Sequence, residues 1–233
     1  MSWLGATLAL YRRTFVRGAE LTLRNWPVLG SVFVYAVVMT MAAAFVPLLG
    51  ILGGFLLSVV WAACVGSFLY LVEMMVRTSR VTLEDFRRSA GAYLWDVVGV
   101  TFILWLVFRL LAPALATIPQ GPALLIGLNL VIAVFFNAVP ELIYLGRYSS
   151  LQLLGESYSF IGENWIEWFP ATLALGLAVL LVAAVPVGGV LVWVKLALVA
   201  LLIAYAMVVR GLLFLELHGS SRRSRAFRAR MGG

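Results

Sequence analysis

Three polar side chains interrupt stretches that are otherwise apolar, and they are the residues of this chain best placed to bind a ligand inside a membrane: Arg109, Asn129 and Lys195. Counting residues to the nearest turn places them roughly 9–15 Å from one membrane surface. A charge at mid-membrane costs about 2.5–3.5 kcal/mol on insertion scales, so each cation needs a compensating group. Two cations and an amide with no acid at their depth predict a site for an anion, such as a lipid phosphate. A carboxylate of another subunit would serve equally well.

Simpler interpretations of the same residues stay open. Lys195 can extend its four-carbon stem so that the amine reaches the membrane surface. Arg109 can bond carbonyl groups near Pro113, because proline has no N–H to donate to the carbonyl four residues earlier. In these interpretations the three residues form no shared site.

A second set of charges is regularly spaced along the chain. Glu73, Glu141 and Arg210 are 68 and 69 residues apart, and each lies near the end of an apolar stretch. We hypothesise that the two acids face the base at the inner membrane interface, although ion pairs near water contribute little stability. The alternative is that all three are solvated interfacial charges.

Residue types needed for catalysis or metal binding are scarce. The chain has one cysteine, Cys64, and one histidine, His218, and it contains no P-loop, no His-Glu-x-x-His and no Gly-x-Ser-x-Gly motif. The acids Glu163 and Glu167 are interpreted as solvated charges near the start of a helix. We therefore predict no catalytic residue, no metal and no cofactor.

The elements that carry these residues follow from composition. The chain of 233 residues is 64% hydrophobic and 12% charged, with a mean hydropathy of +1.05. A soluble domain has about 25% charged residues. Stretches long enough to cross a bilayer run over 27–48, 51–76, 95–118, 121–146, 165–186 and 189–215. They do not alternate polar and apolar residues as barrel strands do, so the sequence predicts an all-α polytopic membrane protein with six transmembrane helices.

Arginines mark one side of these helices, while the three turns on the other side carry no charge. By the positive-inside rule both termini are cytoplasmic, and we expect the bacterial cytoplasmic membrane as the location. The net charge of +7 is then a topology signal, and no nucleic-acid partner is predicted. The last basic cluster should contact anionic lipids; it comprises Arg222, Arg223, Arg225, Arg228 and Arg230.

A threefold repeat is predicted from the spacing of three tryptophans. Trp26, Trp95 and Trp165 lie 69 and 70 residues apart, each where a polar stretch enters an apolar one. The repeats run over 3–76, 81–146 and 149–216, within a single membrane domain, 1–233, whose basic tail is 217–233. Each repeat is an amphipathic interfacial helix followed by a hairpin of two spans. In the first repeat the stripe that includes Leu4, Leu8, Tyr11, Phe15 and Ala19 is predicted to be the apolar face.

The third repeat also carries a recurring pattern, Ser150-Leu151-Gln152-Leu153-Leu154-Gly155-Glu156-Ser157-Tyr158 followed by Gly162-Glu163-Asn164-Trp165. This pattern resembles the membrane domain attached to some bacterial glycerophosphodiester phosphodiesterases, and related uncharacterised multi-spanning families. The resemblance covers roughly residues 149–180 and implies an interfacial helix leading into a span. No phosphodiesterase domain is found here, so it implies architecture and not activity.

Two functions fit these observations. The first is a non-catalytic subunit or scaffold of a membrane assembly, which acts through the bilayer, anionic lipids and either a membrane protein partner or further copies of itself. The alternative is a permease-type or anionic-lipid-handling protein that uses Arg109, Asn129 and Lys195. A cavity around those residues, open to water or lipid, would favour the alternative.

Overall fold

The computed structural model describes residues 3–146, 148 and 150–218, and all regular secondary structure in them is helical. The basic cluster Arg222, Arg223, Arg225, Arg228 and Arg230 lies outside the described residues. The helices are α1 (Trp3–Arg24), α2 (Val28–Leu49), α3 (Ile51–Thr78), α4 (Leu83–Ser89), α5 (Leu94–Ala116), α6 (Gly121–Phe135), α7 (Val139–Glu141), which continues as a π-helix (Leu142–Gly146), α8 (Ser150–Ala184) and α9 (Leu191–Leu217).

Five of these helices, α2, α3, α5, α8 and α9, are long and apolar enough to cross a membrane. A sixth span is formed if α6 and the α7–π segment count as one bent helix. This confirms the all-α class and the presence of several long apolar helices suited to spanning a membrane. The threefold repeat and the side on which the termini lie remain predictions.

Two of the predicted elements are joined in one helix. The third surface helix and the fifth span were expected as separate elements, but α8 runs through both without a break for 35 residues. In the first repeat the corresponding junction, Asn25-Trp26-Pro27, separates α1 from α2. The difference has a local cause, because Pro27 has no N–H for the helix ladder, whereas Asn164-Trp165 is followed by isoleucine.

The fourth span is broken near its end. α6 stops at Phe135, α7 begins at Val139, and the two segments are bent by 41°. Pro140 lies at the start of α7, where its missing N–H costs little. The break therefore lies where Asn137 and Pro140 interrupt the apolar sequence of this span.

The described chain divides into two compact units. Among the described residues, the first comprises 3–37, 71–87 and 164–218, and the second comprises 38–70 and the described part of 88–163. The predicted single domain, 1–233, is not decided by this division.

In the first unit α1 packs along α9 through small residues. A Cβ atom on Gly18 would overlap the Val209 side chain, and Gly18 and Thr14 are both buried. The predicted apolar face takes part in this contact, since the rings of Phe15 and Tyr205 lie 6.2 Å apart, while Leu8 on the same face is 66% exposed. Helices that approach this closely require small side chains at the crossing, and Gly18 provides one beside the larger Phe15.

In the second unit a close contact fixes the start of α5. A Cβ atom on Gly66 of α3 would overlap the carbonyl of Ala92, which lies in the turn just before α5. Next to this contact, the hydroxyl of Ser67 shares a hydrogen bond of 2.7 Å with the hydroxyl of Ser89 at the end of α4. These contacts hold the N-terminal end of the helix that carries Arg109.

Candidate functional site

An open groove of about 450 Å³ lies on α5 around Arg109. Its lining comprises Trp105, Phe108, Arg109, Ala112, Pro113 and Ala116. The alanines lie one and two turns beyond Arg109, so their small side chains leave the space that the groove occupies. On the same helix Phe102 and Trp105 stack with ring centroids 5.9 Å apart. The groove is therefore an aromatic and cationic surface on an apolar helix.

Arg109 is exposed, and within the part of the chain that the structure describes no hydrogen bond or ion pair reaches its guanidinium. Pro113 removes the N–H that would bond the Arg109 carbonyl, yet no bond from the guanidinium to nearby carbonyls is found among these residues. An arginine has five N–H donors and no acceptor. Its surroundings therefore leave a strong anion-binding group on the surface of a spanning helix.

Asn129 lies on the neighbouring helix α6, and its side chain bonds within its own helix. The Nδ2 group donates to the carbonyl of Leu125 at 2.8 Å. In the described residues no hydrogen bond joins it to Arg109. The geometry thus gives Asn129 a local partner.

Lys195 also has local partners. Its Nζ donates to the carbonyls of Val185 at 3.2 Å and Ala183 at 3.5 Å. These carbonyls lie at the C-terminal end of α8, where the last turn of a helix has no intrahelical donors. Arg109 and Asn129 belong to the second unit and Lys195 to the first, so the shared anion site stays a prediction.

The regularly spaced charges have distinct surroundings. Glu73 Oε1 accepts from Arg77 Nε at 2.9 Å, one turn along α3. The Arg210 guanidinium carbon lies 5.2 Å from the centroid of the Trp168 ring, a cation–π geometry. Glu141 is fully buried in α7. The hypothesis that Glu73 and Glu141 face Arg210 is not tested by these contacts.

A buried asparagine holds the turn between α3 and α4. Asn25, 4% exposed, donates from Nδ2 to the carbonyls of Leu21 and Ser79 at 2.8 and 3.3 Å. Its Oδ1 accepts from the N–H of Val81 at 2.8 Å. The sequence indicated Asn25 only as part of the tryptophan repeat. Its position at a helix end beside Pro27 was the available signal for a role in the turn.

The interpretation of Glu167 as a solvated charge is wrong, since only 3% of this residue is exposed. It faces the interior of the first unit, where the Tyr11 hydroxyl donates to its main-chain carbonyl at 2.7 Å. Burial and then the nearby Glu167 charge raise the pKa of Tyr11 above its ordinary value. The signal lay in helix periodicity, because Glu167 shares a face with Asn164 and Ala171, which are also buried.

A buried hydroxyl supports the break in the fourth span. The Ser157 Oγ, in a residue with 0% exposure, donates to the carbonyl of Phe135 at 2.7 Å. In an unbroken helix this carbonyl would accept from Val139, whose N–H bonds Phe136 instead at 3.2 Å. Ser157 therefore replaces a hydrogen bond that the break removes.

No group of three or more His, Cys, Asp or Glu side chains among the described residues could hold a metal ion. The fold and these sites define a class, an α-helical protein with several apolar helices suited to a membrane. No protein-family model, curated protein or solved structure matches the chain. The resemblance to the membrane domain of bacterial glycerophosphodiester phosphodiesterases therefore remains a prediction.

Proposed function

We propose that this chain is a non-catalytic subunit of a membrane protein assembly, in a cell membrane with both termini cytoplasmic. The observation that carries the proposal is the α5 groove, where Arg109 is exposed and makes no hydrogen bond or ion pair to the described residues. The lipid-handling alternative needs an open cavity around Arg109, Asn129 and Lys195 together, whereas this groove is lined by residues of α5 alone. A lipid-facing arginine is costly, so its retention on a spanning helix favours a partner that supplies an anion. Arginine and aromatic side chains together are also the residue types that dominate binding at protein interfaces.

The cytoplasmic placement of the termini is supported by the distribution of arginines. Arg12, Arg13, Arg17 and Arg24 precede the first span, whereas the turns at 117–120 and 185–190 carry no charge. The positive-inside rule then places α1 on the cytoplasmic side. The end of α5 near Arg109 would face the opposite side of the membrane.

The test is native mass spectrometry of the chain extracted from its own membrane in mild detergent. We expect a stoichiometric complex with a different membrane protein, and we expect Arg109→Gln to reduce its yield. Lys195→Leu is the matched control, because the Lys195 amine already donates to carbonyls at the end of α8. A lone chain or a homo-oligomer that retains anionic lipid would instead favour the lipid-handling alternative and would refute the subunit proposal.

A further inference from the structure

We propose that the α5 groove binds a transmembrane helix of a different protein, which places an Asp or Glu carboxylate against the Arg109 guanidinium. The inference rests on the proposed function and names the chemistry of its partner. It is carried by the shape of the groove, by the direction of the arginine side chain and by the distribution of acids along the chain.

The shape of the groove fits a helix. Ala112 and Ala116 are four residues apart, so they lie above one another on one face of α5. Small residues at this spacing allow two transmembrane helices to approach closely. Trp105, one turn before Arg109, and Phe108, the residue next to it, give the groove an apolar wall. A packed helix would thus run past Arg109 and contact the alanines beyond it.

The direction of Arg109 favours a protein carboxylate over a lipid phosphate. Arg109 lies seven residues before the end of α5 at Ala116, about 10 Å by helix rise. The Cα–Cβ bonds of a helix tilt toward its N-terminus, so this side chain starts away from the nearer membrane surface and its phosphates. A carboxylate at the same depth can accept two parallel N–H bonds from the guanidinium.

A second copy of this chain cannot supply that carboxylate. The segments 21–72, 97–140 and 168–215, which contain the three uncharged turns and the spans that flank them, contain no Asp or Glu. Copies of a membrane protein share one orientation, so every acid of a neighbouring copy would lie near the opposite end of the spans. The acid must come from another protein.

The test uses the full chain in nanodiscs of phosphatidylcholine and synthetic transmembrane peptides of leucine and alanine with lysine at both ends. One peptide carries a single Glu seven residues from one end, and its matched control carries Gln there. We expect the Glu peptide to bind about tenfold more tightly than the Gln peptide, measured by energy transfer between labels. In the Arg109→Gln variant the two peptides should bind equally, and Ala112→Leu should weaken both by filling the groove.

Equal binding of the Glu and Gln peptides to the unchanged chain would overturn the inference. The inference would also be overturned if phosphatidylglycerol stayed bound to the unchanged chain but not to Arg109→Gln, while the Glu peptide bound no more tightly than the Gln peptide. A lipid would then occupy the groove. If the Arg109→Gln and Ala112→Leu variants gave the same yield of native complex as the unchanged chain, the inference would be contradicted and the subunit proposal would stand. The absence of any native complex removes the subunit proposal, whatever the peptides show.

Discussion

Replacing Ser157 by alanine should destabilise the protein at the break in the fourth span. The hydroxyl donates to the Phe135 carbonyl at 2.7 Å, and Ser157 is fully buried, so water cannot take its place. A buried polar group left without its partner costs about 1–3 kcal/mol in water-soluble proteins. Hydrogen bonds between transmembrane helices average about 0.6 kcal/mol and reach about 1.7 kcal/mol. Because the break has already removed the usual donor to this carbonyl, we expect Ser157→Ala to lower the unfolding free energy by about 1–2 kcal/mol, near the upper end of the range for transmembrane helices.

The assay is reversible unfolding in mixed detergent micelles, followed by tryptophan fluorescence. Ser58→Ala is the matched control, since the Ser58 hydroxyl donates at 2.9 Å to the carbonyl of Gly54 in its own helix and is exposed. Removing such a back-bond changes stability little, so this variant should stay within about 0.5 kcal/mol of the unchanged protein. If Ser157→Ala lost no more unfolding free energy than Ser58→Ala, the support of the break by Ser157 would be refuted.

The other predictions concern the packing of α1. Gly18→Ala should lower the unfolding free energy by about 1–3 kcal/mol because its new methyl group would overlap Val209. Adding Val209→Ala to this variant should restore stability. The control, Gly162→Ala, should not destabilise, because a Cβ atom there meets no atom within 4 Å. Tyr11→Phe should make the unfolding free energy less dependent on pH at high pH. Burial and the Glu167 charge raise the pKa of Tyr11, so the neutral phenol stabilises fully below pH 10 and this contribution is lost as pH rises through the raised pKa. Unfolding measured from pH 8 to 12 should fall more steeply in the unchanged protein; equal slopes would contradict this assignment.

The spanning helices were predictable because long apolar runs leave the backbone no alternative to helix in lipid. The third span, predicted over 95–118, is observed as Leu94–Ala116. The continuity of α8 was not predicted, because a tryptophan at a membrane interface marks depth and does not end a helix. Only Pro27 gives the first repeat a break that the third lacks.

Contacts between side chains were less predictable than helices. Regular spacing placed Glu73 and Arg210 at similar depths but could not determine which neighbour each contacts. That choice depends on how α8 packs against α9, which brings Trp168 to 5.2 Å from Arg210. Similarly, proximity to a helix start indicated a solvated Glu167, whereas the rotation of α8 decides that this side chain is buried.

The two cations that looked alike in the sequence differ in the acceptors around them, and this difference carries the functional argument. The end of α8 leaves its last carbonyls without intrahelical donors, and Lys195 uses two carbonyls there. Arg109 lies within a helix whose ladder is intact except at Pro113, so at most its own carbonyl is freed. One acceptor cannot satisfy the five N–H donors of a guanidinium. Lys195 is therefore explained by the fold itself, whereas Arg109 requires an acceptor from outside the described chain.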